Sequence, residues 1–237
     1  MSIVDVVAAD IRDNLFSGLL AGRAQLTEAE VATSYGVARP TAKAAIEKLV
    51  AEGLLHRGTH KTAHVPELGP DDVRDLYFAR HCIETQVVRR LAEQQLVPKS
   101  ALTANSEVVA RGKSSESIIE PVVGFHSALV GAIGSPRLAR LFRSLMGEMR
   151  LCMAQMQSKH LLRGGPIAAE HRRILDCITA GDPDGAVAAL VEHLAMAERR
   201  LLAGSARAKA LPEQAEAPAQ QLPRAEANGR LPRRASS

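Results

Sequence analysis

The sequence has no tryptophan and only four phenylalanines and two tyrosines among its 237 residues. So few rings exclude a stacking platform for single-stranded RNA, which needs exposed aromatics. They also argue against a β-sandwich core, where aromatic and β-branched residues are favoured. The apolar share, 46%, is instead largely Leu, Val, Ile and Ala, which suits packed helices. Cysteine is sparse too. Cys82, Cys152 and Cys177 are far apart and odd in number, which excludes a disulfide framework or a CxxC zinc site and suits reduced thiols in a cytosol. No apolar run approaches the roughly 18 residues of a membrane span, and the N-terminus lacks a basic region followed by an apolar one. The chain is therefore expected to be soluble and cytoplasmic. A strong charge of one sign is missing as well. The net charge is +4, and much of it lies beyond residue 204, where Arg207, Lys209, Arg224, Arg230, Arg233 and Arg234 outnumber Glu213, Glu216 and Glu226. Global basicity is thus no argument for nucleic acid.

What is present is helical periodicity with clear punctuation. Ile3, Val7, Ile11 and Leu15 share a face that Gly18 ends. Thr27 with Glu30 forms a capping box for a short helix near 27–34, and Tyr35-Gly36-Val37 makes a turn. A third helix is predicted near 38–52, with Ala42, Ala45, Ile46, Leu49 and Val50 inward and Gly53 as its stop. Residues 54–57 and 62–65 read as two short strands around the polar loop Gly58-Thr59-His60-Lys61. From 71 onward, helical segments near 71–97, 99–111, 115–133, 137–162, 167–180 and 183–203 are separated by Gly and Pro. Beyond Gly204 periodicity ceases, and disorder is expected from about 206. The fold class is mainly α: a winged helix-turn-helix over 1–66, a linker at 67–70, an antiparallel helical bundle over 71–204 and a tail over 205–237.

Helix, helix, turn, helix and hairpin in this order make a winged helix-turn-helix, whose third helix is sized for the major groove of double-stranded DNA. Arg39, Lys43, Lys48, Arg57 and Lys61 concentrate on that helix and wing, against Glu47 and Glu52. Arg39 and Thr41 are placed to reach base edges. Lys43 and Lys61 suit phosphates, with Thr59 and His60 on the same wing.

The run Leu26-Thr27-Glu28-Ala29-Glu30-Val31-Ala32, then Tyr35-Gly36-Val37-Ala38-Arg39-Pro40-Thr41-Ala42-Lys43, then Glu52-Gly53-Leu54-Leu55 resembles the DNA-binding domain of GntR regulators over residues 3–66. It departs from the family pattern at Ala38 for Ser or Thr, Lys43 for Arg, and Ala29 where a DNA-contacting Arg often sits. The resemblance implies a homodimer on a palindromic operator.

Three helices of the C-terminal half each carry a histidine within or beside an apolar stripe: His126, His171 and His193. One such histidine is ordinarily a hydrogen-bonded core residue. Three on separate helices point to a convergent site, because zinc-like ions take three His with one position open. Asp75-Leu76-Tyr77, Arg80, Glu84, Phe125-His126, Glu170-His171, Gly181-Asp182 and His193-Leu194 resemble the FadR C-terminal (FCD) effector domain of one GntR subgroup. That resemblance implies one divalent metal ion of the Zn or Ni type on these histidines. It also implies an Asp ligand where this chain has Val122, so that binding is weaker, the shell is completed by water or effector, or the site stays empty. Arg80 matches a cavity-facing Arg suited to a carboxylate effector, and Arg150 is a second candidate. Arg80 also has a plain alternative, an ion pair with Glu84 at i+4.

The expected function is a sequence-specific transcriptional regulator, a repressor released by a small organic acid rather than an enzyme. The rival is a mononuclear metal hydrolase on the three histidines. It is disfavoured because the sequence shows no carboxylate beside the cluster to act as general base.

Overall fold

The computed structural model describes residues 1–58, 62–114, 117–155 and 163–210, the last six as helical backbone only. Within the described residues the chain divides into two compact units, one over Met1–Glu67 and one over residues 68–210.

In the N-terminal unit, α1 (Ile3–Phe16) buries Val7, Ala8, Ile11 and Leu15. Ile3 joins that stripe only in sequence, since the first turn leaves it exposed. The helix opens on a capping box in which Ser2 and Asp5 satisfy each other's backbone N–H. Thr27 and Glu30 repeat the device at α2 (Glu28–Tyr35), which ends at Gly36 in the left-handed conformation, φ 61°. After the turn, α3 (Arg39–Ala51) buries Ala42, Ala45, Ile46 and Leu49, while Val50 stays half-buried. Fully burying each large aliphatic stabilises the unit by about 1.5–3 kcal/mol. The wing strands are β2 (His56–Arg57) and β3 (Thr62–His64), with Leu54 and Leu55 turned into the core instead of the sheet. A strand absent from the sequence reading, β1 (Gln25–Thr27), pairs antiparallel with β3, Leu26 opposite Ala63. The sheet order is β1-β3-β2, so β3 is central.

The second unit contains six helices among its described residues: α4 (Pro70–Glu93), α5 (Lys99–Lys113), α6 (Ile119–Ala132), α7 (Pro136–Gln155), α8 (Gly164–Ala180) and α9 (Pro183–Ala210). The longest, α4 and α9, pack along each other; α8 packs on α5 and α9, and α6 on α5 and α7. Gly134 and Gly181 take positive φ at the breaks, and Pro183 opens the next helix. α9 continues past Gly204, where the alanine-rich run to Ala210 has high helix propensity. Positions 211–237, read as tail, lie outside the described residues. The three cysteines are free. No helix among the described residues is long and apolar enough to cross a membrane.

α5 and α8 meet at two glycines. A Cβ on Gly164 would stand 2.7 Å from Gly112 Cα and 2.8 Å from the Val108 carbonyl, both backbone atoms. We expect Gly164→Ala to destabilise the helical unit by about 1–3 kcal/mol in urea unfolding. Gly131→Ala on α6 meets nothing within 4 Å and should stabilise by about 0.5–1 kcal/mol. Equal effects from the two would refute the close-contact account.

Candidate functional site

The candidate residues fall into two groups, one in each unit. On α3, Arg39 and Lys43 are exposed and Thr41 is half-buried. Pro40 sits in the first turn, and the cap residue Ala38 supplies no side-chain bond. The five cations read as one cluster have different fates. Lys48 pairs with Asp5 of α1 at 2.7 Å, and Arg57 bonds Glu47 and Glu28. Both are committed to holding the unit together. Arg39 and Lys43 form no ion pair among the described residues. Thr59, His60 and Lys61 lie outside them.

In the helical unit, α6, α8 and α9 bring His126, His171 and His193 together, each buried, with ligand-type atoms within 4.8 Å of one another. His126 and His193 face each other, Nε2 to Nε2, at 3.2 Å. Behind them are two carboxylates. His126 Nδ1 lies 2.6 Å from Glu84 Oε2, and His193 Nδ1 lies 2.8 Å from Glu170 Oε2, each within hydrogen-bond distance. This corrects the expectation that no carboxylate borders the cluster. In the sequence Glu84 stands as the i+4 neighbour of Arg80 and Glu170 as the residue before His171, both within the FCD resemblance but with no sign of a histidine partner. Their partners lie on other helices, which spacing along the chain does not reveal. His171 is held differently: among the described residues neither ring nitrogen has a hydrogen-bond partner, and the ring stacks on Phe125, centroids 3.8 Å apart and planes within 3°.

Arg80 forms the ion pair with Glu84 expected of residues at i and i+4. Its Nε donates to Glu84 Oε1 at 2.7 Å, while its buried Nη2 has no partner among the described residues. The guanidinium carbon lies 5.0 Å from the centre of the Tyr77 ring, whose buried hydroxyl also has none. Arg150 pairs with the exposed Glu120 at 2.7 Å. Val122 packs with Val108, Ile118, Ile167 and Ala168, so no oxygen ligand comes from that position.

Burial pushes the His126 pKa down to about 4 even though Glu84 opposes the change. It lowers His171 well below the ordinary value and lowers His193 as well. For Glu84 burial acts upward, but Arg80 and then His126 outweigh it and hold the carboxyl at about 2. Burial likewise opposes the drop at Glu170, where His193 and Arg200 prevail, again to about 2. At neutral pH the cluster is thus three neutral imidazoles backed by two ionised carboxylates.

Residues 75–196 match the FCD domain model, and residues 3–65 match the bacterial regulatory proteins of the gntR family. The chain belongs to the GntR family. As an FCD-type GntR protein it is a DNA-binding transcriptional regulator, not an enzyme. It is 28% identical over 196 residues to the Probable D-xylose utilization operon transcriptional repressor of Paenarthrobacter nicotinovorans, covering 80% of this chain and 86% of that one. A crystal structure of a GntR transcriptional regulator from Rhodococcus sp. RHA1 superposes with TM-score 0.75 at 25% identity, over 86% of this chain and 99% of its own. McbR/YncC of E. coli shares the fold, with TM-score 0.70 at 19% identity over 85% of this chain and 97% of its own.

The buried histidines give this GntR protein a pH dependence whose sign is fixed. Their folded pKa values lie below the ordinary 6.5, so the unfolded chain binds protons that the folded domain refuses as pH falls. Their contribution is intact above about pH 6.5 and is lost towards pH 4. Glu84 and Glu170 extend the loss from about 4.5 to about 2. In chelator-treated protein we expect unfolding free energy to drop between pH 7.5 and 5, by at most about 1.4 kcal/mol per pH unit for each histidine. A urea midpoint constant over that range would contradict the assignment.

Proposed function

We propose that this GntR protein is a cytoplasmic homodimeric repressor that holds a palindromic operator and releases it when a small organic acid enters the helical domain. Arg39 and Thr41 read base edges. Lys43 and the wing residues Thr59, His60 and Lys61 hold the phosphates. The exposure of Arg39 and Lys43 without competing ion pairs supports this, and the name of the Paenarthrobacter relative supports repression.

One observation carries the effector half: the buried, unpartnered Nη2 of Arg80. A charged donor left unmet in the interior is costly, and a carboxylate satisfies it by a charge-assisted bond. The Tyr77 hydroxyl beside it offers a second polar contact. Arg150 is paired with Glu120, so the assignment rests on Arg80.

The same domain suits one divalent cation of the Zn or Ni type, which His126, His171 and His193 would hold. Two imidazole nitrogens bound about 2.0–2.1 Å from one tetrahedral ion stand roughly 3.3 Å apart, and the Nε2 pair stands at 3.2 Å. Both unpartnered nitrogens of His171 support the same reading. Such an ion supplies a Lewis-acidic contact for a carboxylate oxygen. Val122 offers no oxygen, so effector or water would complete the set of donors. Glu84 and Glu170 lie behind the rings, engaged with Arg80 and Arg200, so neither serves a hydrolase as general base.

In gel shifts Arg39→Ala should lose about 1–3 kcal/mol of operator affinity and relax specificity. Lys43→Ala should weaken all duplexes alike and reduce the salt slope by about 1. In calorimetry against short carboxylates, Arg80→Lys should bind at least tenfold more weakly while keeping Glu84 charge-paired (about 1.4 kcal/mol or more). Equal binding by the variant would falsify the effector assignment.

A further inference from the structure

Each carboxylate that touches a ring of the cluster is itself gripped by an arginine. Arg80 donates to Glu84 from Nε, and Arg200 donates to Glu170 from Nη1 at 3.1 Å and Nη2 at 2.5 Å. An ionised carboxylate only accepts, so the ring nitrogen facing it must carry the proton. A neutral imidazole has one N–H. With Nδ1 protonated on both His126 and His193, both Nε2 atoms present lone pairs, and these oppose each other at 3.2 Å with no proton between them. The opposite tautomer would set a ring lone pair against a carboxylate oxygen, which the low dielectric of the interior penalises heavily.

We propose that Glu84 and Glu170 are positioning residues that fix the tautomers of His126 and His193, so that two Nε2 lone pairs converge on a common point. Phe125 does the corresponding work for His171, setting its plane by stacking and leaving both nitrogens unpartnered. The inference rests on the cation reading above only for what occupies that point; the tautomers belong to the metal-free protein.

The two clamps differ in exposure. Arg80 and Glu84 are 2% and 0% exposed, whereas Arg200 and Glu170 are 21% and 22% exposed. Glu84 on α4 holds a histidine of α6. Glu170, one residue before His171 on α8, holds a histidine of α9. Water competes for the second clamp, so it is the one that can be altered without unfolding the domain.

Long-range ¹⁵N–¹H correlation spectra of the full-length, metal-free protein at pH 7.5 should show His126 and His193 as Nδ1–H tautomers. In Glu170→Gln the amide offers either a donor or an acceptor and stops dictating the proton. The His193 pattern should then move towards a mixture of tautomers while His126 stays put. Zinc affinity, read by competition with a chromogenic chelator, should fall by about 10–100-fold. Glu84→Gln should do the same to His126; because it strips buried Arg80 of its carboxylate, a melting curve accompanies it, and Glu170→Gln decides the matter if that variant does not fold. An Nε2–H tautomer at His193 in the wild type overturns the proposal. So does a Glu170→Gln variant that leaves either the His193 tautomer or the zinc affinity unchanged. If zinc does not bind the wild type at all, the cation reading fails, and the tautomer measurement, made without metal, still decides this one.

Discussion

Two imidazole nitrogens held face to face at 3.2 Å in the buried core of the helical domain are the constraint around which its carboxylates and arginines are arranged. Left alone, such a contact would relax by ring rotation, or by a proton shared between the two rings. Neither escape is open here. The Nδ1 atoms are tied to Glu84 and Glu170, and burial resists the extra proton that would bridge the gap. The carboxylates in turn stay ionised in the interior because Arg80 and Arg200 neutralise them. Four helices, α4, α6, α8 and α9, together supply these few atoms. The long α4 and α9 lie alongside each other, and each carries one arginine of the two clamps.

The DNA-binding unit follows a different economy, in which charges on one short helix are divided between holding the fold and facing outwards. Lys48 and Arg57 tie α3 and the wing to α1 and α2, while Arg39 and Lys43 at the start of α3 are left exposed. A positive cluster counted along the sequence therefore overstates what is available to a phosphate backbone. What remains is concentrated at the helix end suited to enter a groove.

The sequence made the helices legible where local chemistry writes their ends. The Thr27–Glu30 box, Gly36, Gly134 and Gly181 all mark boundaries that need no distant partner. It left β1 hidden because Gln25–Thr27 is too short to show alternation and becomes a strand only by pairing with Thr62–His64. The end of α9 was misread because Gly204 looks like a stop, yet the alanines after it sustain the helix. For the site, three histidines in or beside apolar stripes were visible by periodicity, and the structure brings them together. Their carboxylate partners were not, since a hydrogen bond between residues 42 apart has no signature in spacing. Arg80 shows the same limit. Its i+4 relation to Glu84 was readable, but that one of its nitrogens remains unmatched follows only from three-dimensional packing.

The charge balance of this frame bears on how a cation and an acidic effector would share it. Glu84 has Arg80 and Glu170 has Arg200, so neither carboxylate has charge to spare for a third party. The three imidazoles are neutral, and Val122 contributes only methyl groups to an apolar cluster. On the proposed reading, a divalent ion therefore enters without an anionic ligand and keeps its full charge in a medium that screens poorly. That charge favours a carboxylate at the open position, and a bound carboxylate favours the ion to the same degree, because linkage between two binding equilibria is reciprocal. An aspartate at position 122 would remove part of this coupling by neutralising the ion in advance. On that reading, a valine instead of an oxygen ligand at that position would make ion and effector depend more strongly on each other without any change in the histidines.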